Sequence, residues 1–218
     1  MITIGIDEAG RGPVIGPMTI AGIGIGEDLA QKFKLIGVKD SKMLSIKRIY
    51  LLEREIIKSS NNFKVIKLSA EEIDNRFENG KNLNYLELDN MAEIANNLAG
   101  ETVVIDSPSR NTEKIRLYLS KKIKDKKIIA ENYADKNHIE VSAASIIAKA
   151  NREREVEKIK KELGYDFGSG YPSDPKTIQF IKIITENERI NQEPYKKFVR
   201  KTWNTVKNSN NRTLNFFN

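Results

Sequence analysis

The chain opens with Ile2, Ile4 and Ile6 alternating with Thr3, Gly5 and Asp7, the period of two that marks a β-strand. The turn signal Gly16-Pro17 then precedes MTIAGIGIG, which predicts a second strand. Further on, Ile49, Leu52 and Ile56 share one helical face behind a capping Ser45. FKVIKLS reads as another strand, and Ser69 to Glu72 (SAEE) is a capping box that opens a short helix. Leu83, Leu86, Met91, Ile94, Ala95 and Leu98 form an amphipathic stripe closed by Gly100. ETVVID predicts a strand ending at Asp106, followed by a helix over about 112–122 and a strand at KIIAEN. A long helix is predicted from Ile139 to Leu163, ending before Gly164. Ser173-Asp174-Pro175 reads as a helix start, and a last helix is expected around Pro194 to Thr202.

Strands alternating with helices predict an α/β layered domain, with an antiparallel hairpin at the start and helices dominating the C-terminal third. In such sheets, sites form beyond the carboxyl ends of strands. The 218 residues suffice for one substantial core, and 39% hydrophobic with 31% charged residues reads as a soluble globular protein. No apolar run approaches the roughly 20 residues that span a bilayer. With no cysteine there are no disulfides, thiolate metal sites or cysteine nucleophiles, which fits a cytoplasmic location.

The net charge of +7 is unevenly spread. Six basic residues and no acid lie from Lys196 to Asn218; subtracting these 6 from the total of 37 leaves 31 basic against 30 acidic groups elsewhere. That tail is where a polyanion would feel the charge first, although a solvated, solubilising tail has the same composition.

Two segments share one grammar, an apolar strand followed by Ile-Asp and small turn residues: GID7EAG and VVID106SPS. A third acid, Asp135, lies between a strand and the long helix. If the first and fourth strands are neighbours, Asp7 and Asp106 converge at one sheet edge with Glu8 beside them. Clustered carboxylates repel unless a cation neutralises them, and oxygen ligands without cysteine favour Mg²⁺ or Mn²⁺. Acids after strands also serve as turn formers and helix caps, so the spacing alone leaves both readings open. Gly10-Arg11-Gly12 brings backbone N–H groups and a guanidinium to the same place. It lacks the spacing of known nucleotide-binding loops and would equally make a plain turn.

DEAGRGPVIGP, VKDSKML, VIDSP, the stretch from Asp135 through SAASIIAKANRE, and GSGYPSDP follow one another in this order. Over about residues 1 to 205 that series closely resembles type 2 ribonuclease H (ribonuclease HII), and GSGYPSDP with the later KTW resembles its archaeal branch. The resemblance implies a ribonuclease-H-like mixed sheet flanked by helices, with a smaller helical C-terminal part. It implies a metal-dependent endonuclease that cuts the RNA strand of RNA–DNA hybrids and cuts at single ribonucleotides in duplex DNA, in replication and repair, leaving 5′-phosphate and 3′-hydroxyl ends. The family's acidic quartet maps onto Asp7, Glu8, Asp106 and Asp135, with Mg²⁺ or Mn²⁺ in a two-ion mechanism. His138, the one histidine, is expected to be a local structural or surface residue.

By the same resemblance Gly10, Arg11 and Gly12 sense the 2′-hydroxyl that distinguishes RNA from DNA. Tyr171 matches the tyrosine that stacks on the sugar beside the ribonucleotide; without the resemblance it would read as a half-buried core residue. Lys42 matches a phosphate-binding lysine. The expected domains are 1–165 for catalysis, 166–205 for a helical substrate-binding part and 206–218 for a basic tail. That tail ends NRTLNFFN, and Leu214, Phe216 and Phe217 resemble a peptide that binds a sliding clamp. It departs from that pattern in having Asn211 where glutamine is usual and a phenylalanine pair one residue early. Packing of the tail on its own domain is the alternative. The chain is expected to be a monomer. A non-catalytic nucleic-acid-binding module using the same loop and tail would bind without products, and the intact quartet speaks against it.

Overall fold

The computed structural model describes residues 1–39, 44–78 and 80–207. Lys42, Leu214, Phe216 and Phe217, each expected to bind a substrate or partner, lie outside the described residues. Five strands form one sheet: β1 (Thr3–Ala9), β2 (Met18–Ile25), β3 (Phe63–Leu68), β4 (Thr102–Asp106) and β5 (Lys127–Glu131), in the order β3-β2-β1-β4-β5. β1 pairs antiparallel with β2 and parallel with β4, and β4 pairs parallel with β5. The initial hairpin is therefore as the periodicity predicts, and the mixed sheet is as the resemblance implies.

The α-helices include α1 (Glu27–Leu35), α2 (Ile46–Ser59), α3 (Ala70–Asp74), α4 (Leu83–Asn97), α5 (Thr112–Leu119), α6 (Ala134–Asn137), α7 (Ile139–Leu163) and α8 (Pro175–Glu186). Ser45 caps α2 through the Arg48 N–H, and Ser69 and Glu72 form the reciprocal capping box of α3. α1 has no counterpart in the sequence reading. Its buried residues are only Ala30 and Phe33, with Leu29 half-buried against the same core, a stripe little more than one turn long.

By their contacts the residues fall into two compact units. The first contains Met1–Ala9, Thr19–Ile66 and Lys81–Asn151; the second contains Gly10–Met18, Lys67–Gly80 and the chain from Arg152 onward. The expected cut at 165/166 is sequential. The contact-defined second unit also draws in two earlier segments. In the first unit β2 is buried along its whole length, as a strand covered on both faces must be. One apolar cluster joins Ile23 and Ile25 of β2 to Phe33 of α1, Leu52 and Ile56 of α2, and Ile146 and Ile147 of α7. Gly5 of β1 makes room for the start of α7: a Cβ there would lie 2.2 Å from the Glu140 carbonyl carbon.

In the second unit Val14, Ile15, Val156, Phe167, Phe180, Ile184 and Val199 share another core. The helix expected over Pro194 to Thr202 is instead a short 3₁₀ turn at Tyr195–Lys197, followed by an isolated bridge at Val199 and a further turn. The reason is tertiary. Val199 forms an isolated β-bridge with Ile15, and the Arg200 N–H donates to the Val14 carbonyl at 2.8 Å, pairings a continuing helix would forbid.

Candidate active site

β1 and β4 run parallel with Ile6 opposite Ile105. The next residue on each strand, Asp7 and Asp106, therefore emerges at the same carboxyl edge of the sheet. Ile4, Ile6, Val103 and Ile105 are fully buried, so both strands are clamped up to the residue where the acids begin. Asp135 arrives from α6. Its neighbour Ala134 donates its N–H to Asp106 Oδ1 at 3.2 Å, and the Ser142 hydroxyl of α7 donates to the Asp135 carbonyl. Asp7, Asp106 and Asp135 each present an oxygen within 4.8 Å of the others. The sequence expectation that the strand-end acids Asp7 and Asp106 converge is met, Asp135 joins them from α6, and Glu8 stands at the adjoining position of β1.

The electrostatics of this group follow from crowding. Burial pushes the Asp7 carboxyl well above the usual carboxylate range, and the charges of Glu8 and Asp106 push it the same way. The Ser145 hydroxyl and the Glu8 N–H, 2.8 Å from Asp7 Oδ1, pull in the opposite direction. Three carboxylates this close, one of them reluctant to ionise, form an oxygen donor set suited to a divalent cation. His138 takes no part in that triad: its Nε2 lies 2.9 Å from Glu131 and its Nδ1 3.6 Å from Glu140, a local structural role as expected.

The second unit holds Gly10, Arg11, Gly12 and Tyr171. Arg200 is fully buried, and its guanidinium donates to the carbonyls of Gly10 at 2.6 Å, Arg11 at 2.9 Å and Gly16 at 2.9 and 3.0 Å. The Trp203 indole N–H donates to the Gly12 carbonyl at 3.1 Å. Three successive carbonyls of the Gly-Arg-Gly loop are thus held by two side chains. Gly10 has φ +84°, and a Cβ there would meet the Pro17 carbonyl at 2.6 Å, so this position requires glycine. A Cβ at Gly12 would lie 3.4 Å from the Tyr171 ring, which brings the loop and that tyrosine together.

Tyr171 is 37% exposed. The turn that carries it is fixed by Asp174, which accepts from the Ser169 N–H and hydroxyl at 2.7 and 2.8 Å. The Arg152 guanidinium lies 5.1 Å from the Tyr171 ring centre and donates to the Ser169 carbonyl. Sequence reasoning missed Ser142, Ser145, Arg152, Arg200 and Trp203. The serines lie in the SAAS run and Trp203 in the KTW already quoted, so those motifs carried the signal without a role. Arg200 carried no signal beyond its charge.

The Ribonuclease HII family model matches residues 4–206. This chain belongs to the ribonuclease HII family. The ribonuclease HII of Methanococcus maripaludis strain C6 is 43% identical over 217 residues, covering 95% of this chain and 86% of that one. Among solved structures, ribonuclease H2 from Pyrococcus horikoshii OT3 superposes with a TM-score of 0.88 at 35% identity, covering 98% of this chain and 99% of that one. Ribonuclease HII of Archaeoglobus fulgidus, solved in a PCNA:RNase HII complex, has a TM-score of 0.84 at 39% identity, covering 93% and 95%. The resemblance to the archaeal branch thus holds. This ribonuclease HII is a ribonuclease H, an endonuclease of a metal-dependent family. Among its described residues no helix is long and apolar enough to cross a membrane.

Proposed function

We propose that this ribonuclease HII hydrolyses the RNA strand of RNA–DNA hybrids and cuts 5′ of single ribonucleotides embedded in duplex DNA, leaving 5′-phosphate and 3′-hydroxyl ends. The observation that carries the reading is the convergence of Asp7, Asp106 and Asp135 at one sheet edge. These three with Glu8 would hold two Mg²⁺ or Mn²⁺ ions. Such ions supply an activated water and neutralise charge on the departing 3′-oxygen.

The chain's own contribution is rigidity and selection. Ser145 and the Glu8 N–H orient the Asp7 carboxylate, and the Ala134 N–H orients that of Asp106. Gly10, Arg11 and Gly12 bind the ribonucleotide through its 2′-hydroxyl and phosphate, and Tyr171 packs on the adjoining sugar. Lys42 binds a neighbouring phosphate. Gly10, Arg11 and Gly12 lie on a loop that continues directly from Asp7 and Glu8, and Tyr171 on a turn held by Asp174.

The test is cleavage of a labelled DNA duplex with one ribonucleotide, in Mg²⁺ or Mn²⁺. Asp7→Asn is expected to lower the rate at least about 10³-fold, the scale of removing a principal electrostatic group from a site, while sparing substrate binding. Excess EDTA is expected to stop the wild type. Undiminished cleavage under either condition would sink the proposal.

We also propose that the tail binds a sliding clamp through Leu214, Phe216 and Phe217, as an apolar anchor on a basic segment. The Archaeoglobus fulgidus relative, 39% identical, is solved together with PCNA. A peptide of residues 207–218 is expected to bind the cognate clamp, and no binding at high micromolar concentration would refute this.

A further inference from the structure

The grips on the carbonyls of Gly10, Arg11 and Gly12 come from Arg200 and Trp203. What fixes the segment 200–203 is therefore decisive for the loop. Asp74, the last residue of α3, accepts from the Lys201 N–H at 2.7 Å, the Thr202 N–H at 3.2 Å and the Thr202 hydroxyl at 2.6 Å. Arg76 donates to the same hydroxyl at 3.1 Å and to the Ile73 carbonyl. Its guanidinium lies 4.0 Å from the Phe77 ring centre and 5.2 Å from that of Trp203, whose other cationic neighbour, Arg200, is at 5.0 Å. The indole is thus flanked by two guanidiniums.

We infer that Asp74 and Arg76 are positioning residues for ribonucleotide recognition: they fix the segment 200–203, and through Arg200 and Trp203 the carbonyls of Gly10, Arg11 and Gly12. The inference rests on the proposed substrate role of that loop. Charge supports the geometry. The hydrogen bonds of buried Arg200 run to neutral carbonyls, and its like-charged neighbours are Arg152 and Arg76. Burial and Arg152 drive its proton affinity down, to about 9, and Asp74 is the leading opposing charge. The α3 helix is itself held at its other end by the capping box, so Asp74 is presented from a fixed support.

The test uses Asp74→Ala, Asp74→Asn, Thr202→Val and Gly12→Ala in the full chain. The readouts are KM and kcat on a duplex with one ribonucleotide, and acrylamide quenching of Trp203, the only tryptophan of the sequence. Asp74→Ala is expected to raise KM about tenfold, the scale of losing hydrogen bonds to a charged acceptor. The change in kcat is expected to stay within about twofold, because the acids are supported independently. Trp203 becomes more quenchable, and Asp74→Asn, which keeps an acceptor oxygen, recovers part of both changes. Should Asp74→Ala fail to fold, Thr202→Val, which deletes only the shared hydroxyl, decides the matter with the same readouts.

An unchanged KM in Asp74→Ala, with a raised KM in Gly12→Ala, overturns the inference and leaves the loop's role standing. An unchanged KM in Gly12→Ala removes the loop's substrate role, and the inference falls with it. A raised KM in Asp74→Ala without greater Trp203 quenching also overturns it, since the effect would then not pass through the 200–203 segment.

Discussion

The molecule gathers like charges in two places and treats them in opposite ways. In the first unit Asp7, Asp106 and Asp135 bring carboxylate oxygens within 4.8 Å of one another, and the crowding drives the Asp7 carboxyl up. In the second, Arg76, Arg152 and Arg200 lie around the Gly-Arg-Gly loop, and each donates to backbone carbonyls: Ile73, Ser169, and Gly10, Arg11 and Gly16 respectively. Aromatic faces of Phe77, Tyr171 and Trp203 cover these guanidiniums. The cationic cluster is a joint tied to its own chain through these carbonyls. The anionic cluster keeps its repulsion, which is the property a cation-binding site needs.

The difference predicts opposite responses to removing one charge. The larger effect belongs to the joint. Arg200→Met keeps much of the volume but leaves the carbonyls of Gly10, Arg11 and Gly16 without their guanidinium donor. A loss of about 3–5 kcal/mol is expected, the scale of breaking a buried, hydrogen-bonded charge network. Urea denaturation measures it, and hydrogen exchange should quicken first in residues 10–18. A variant as stable as the wild type would show that the joint is not what holds the loop.

The two clusters also differed in how far the sequence announced them. Strand periodicity and the acid at each strand end made Asp7 and Asp106 visible, because a strand's direction and its final residue are local facts. Asp135 was visible as an acid between elements, and the long helix Ile139–Leu163 emerged with the expected bounds. In the sequence Arg200 reads as one of the basic residues of a tail open to a polyanion, yet it is fully buried. Its partners lie 184 to 190 positions earlier in the chain, and no local pattern encodes such a pairing. Asp74 was hidden for the same reason, since its partners Lys201 and Thr202 are more than 120 positions away. The expected helix over Pro194 to Thr202 failed on this long-range pairing, where β-bridge and carbonyl contacts outweighed local propensity.

The smaller response concerns the anions, and its sign is reversed. Without metal, the raised Asp7 carboxyl makes the folded protein bind a proton more tightly than the unfolded chain does. Its ionisation therefore costs stability at neutral pH, and the cost disappears as pH falls below the unfolded value, near 3.8. Asp7→Asn removes that charge while keeping a carbonyl oxygen for the Ser145 hydroxyl and the Glu8 N–H. In EDTA at pH 7 the variant is expected to be the more stable, with a higher Tm than the wild type. At pH 3.5 the gain should be largely gone, because the wild-type carboxyl is then protonated as well. Added Mg²⁺ should raise the Tm of the wild type and leave that of the variant nearly unchanged. The decisive measurement is thermal unfolding at both pH values, with and without Mg²⁺. A variant less stable than the wild type in EDTA at pH 7 would mean that Asp7 is a satisfied structural acid, and the contrast between the two clusters would collapse.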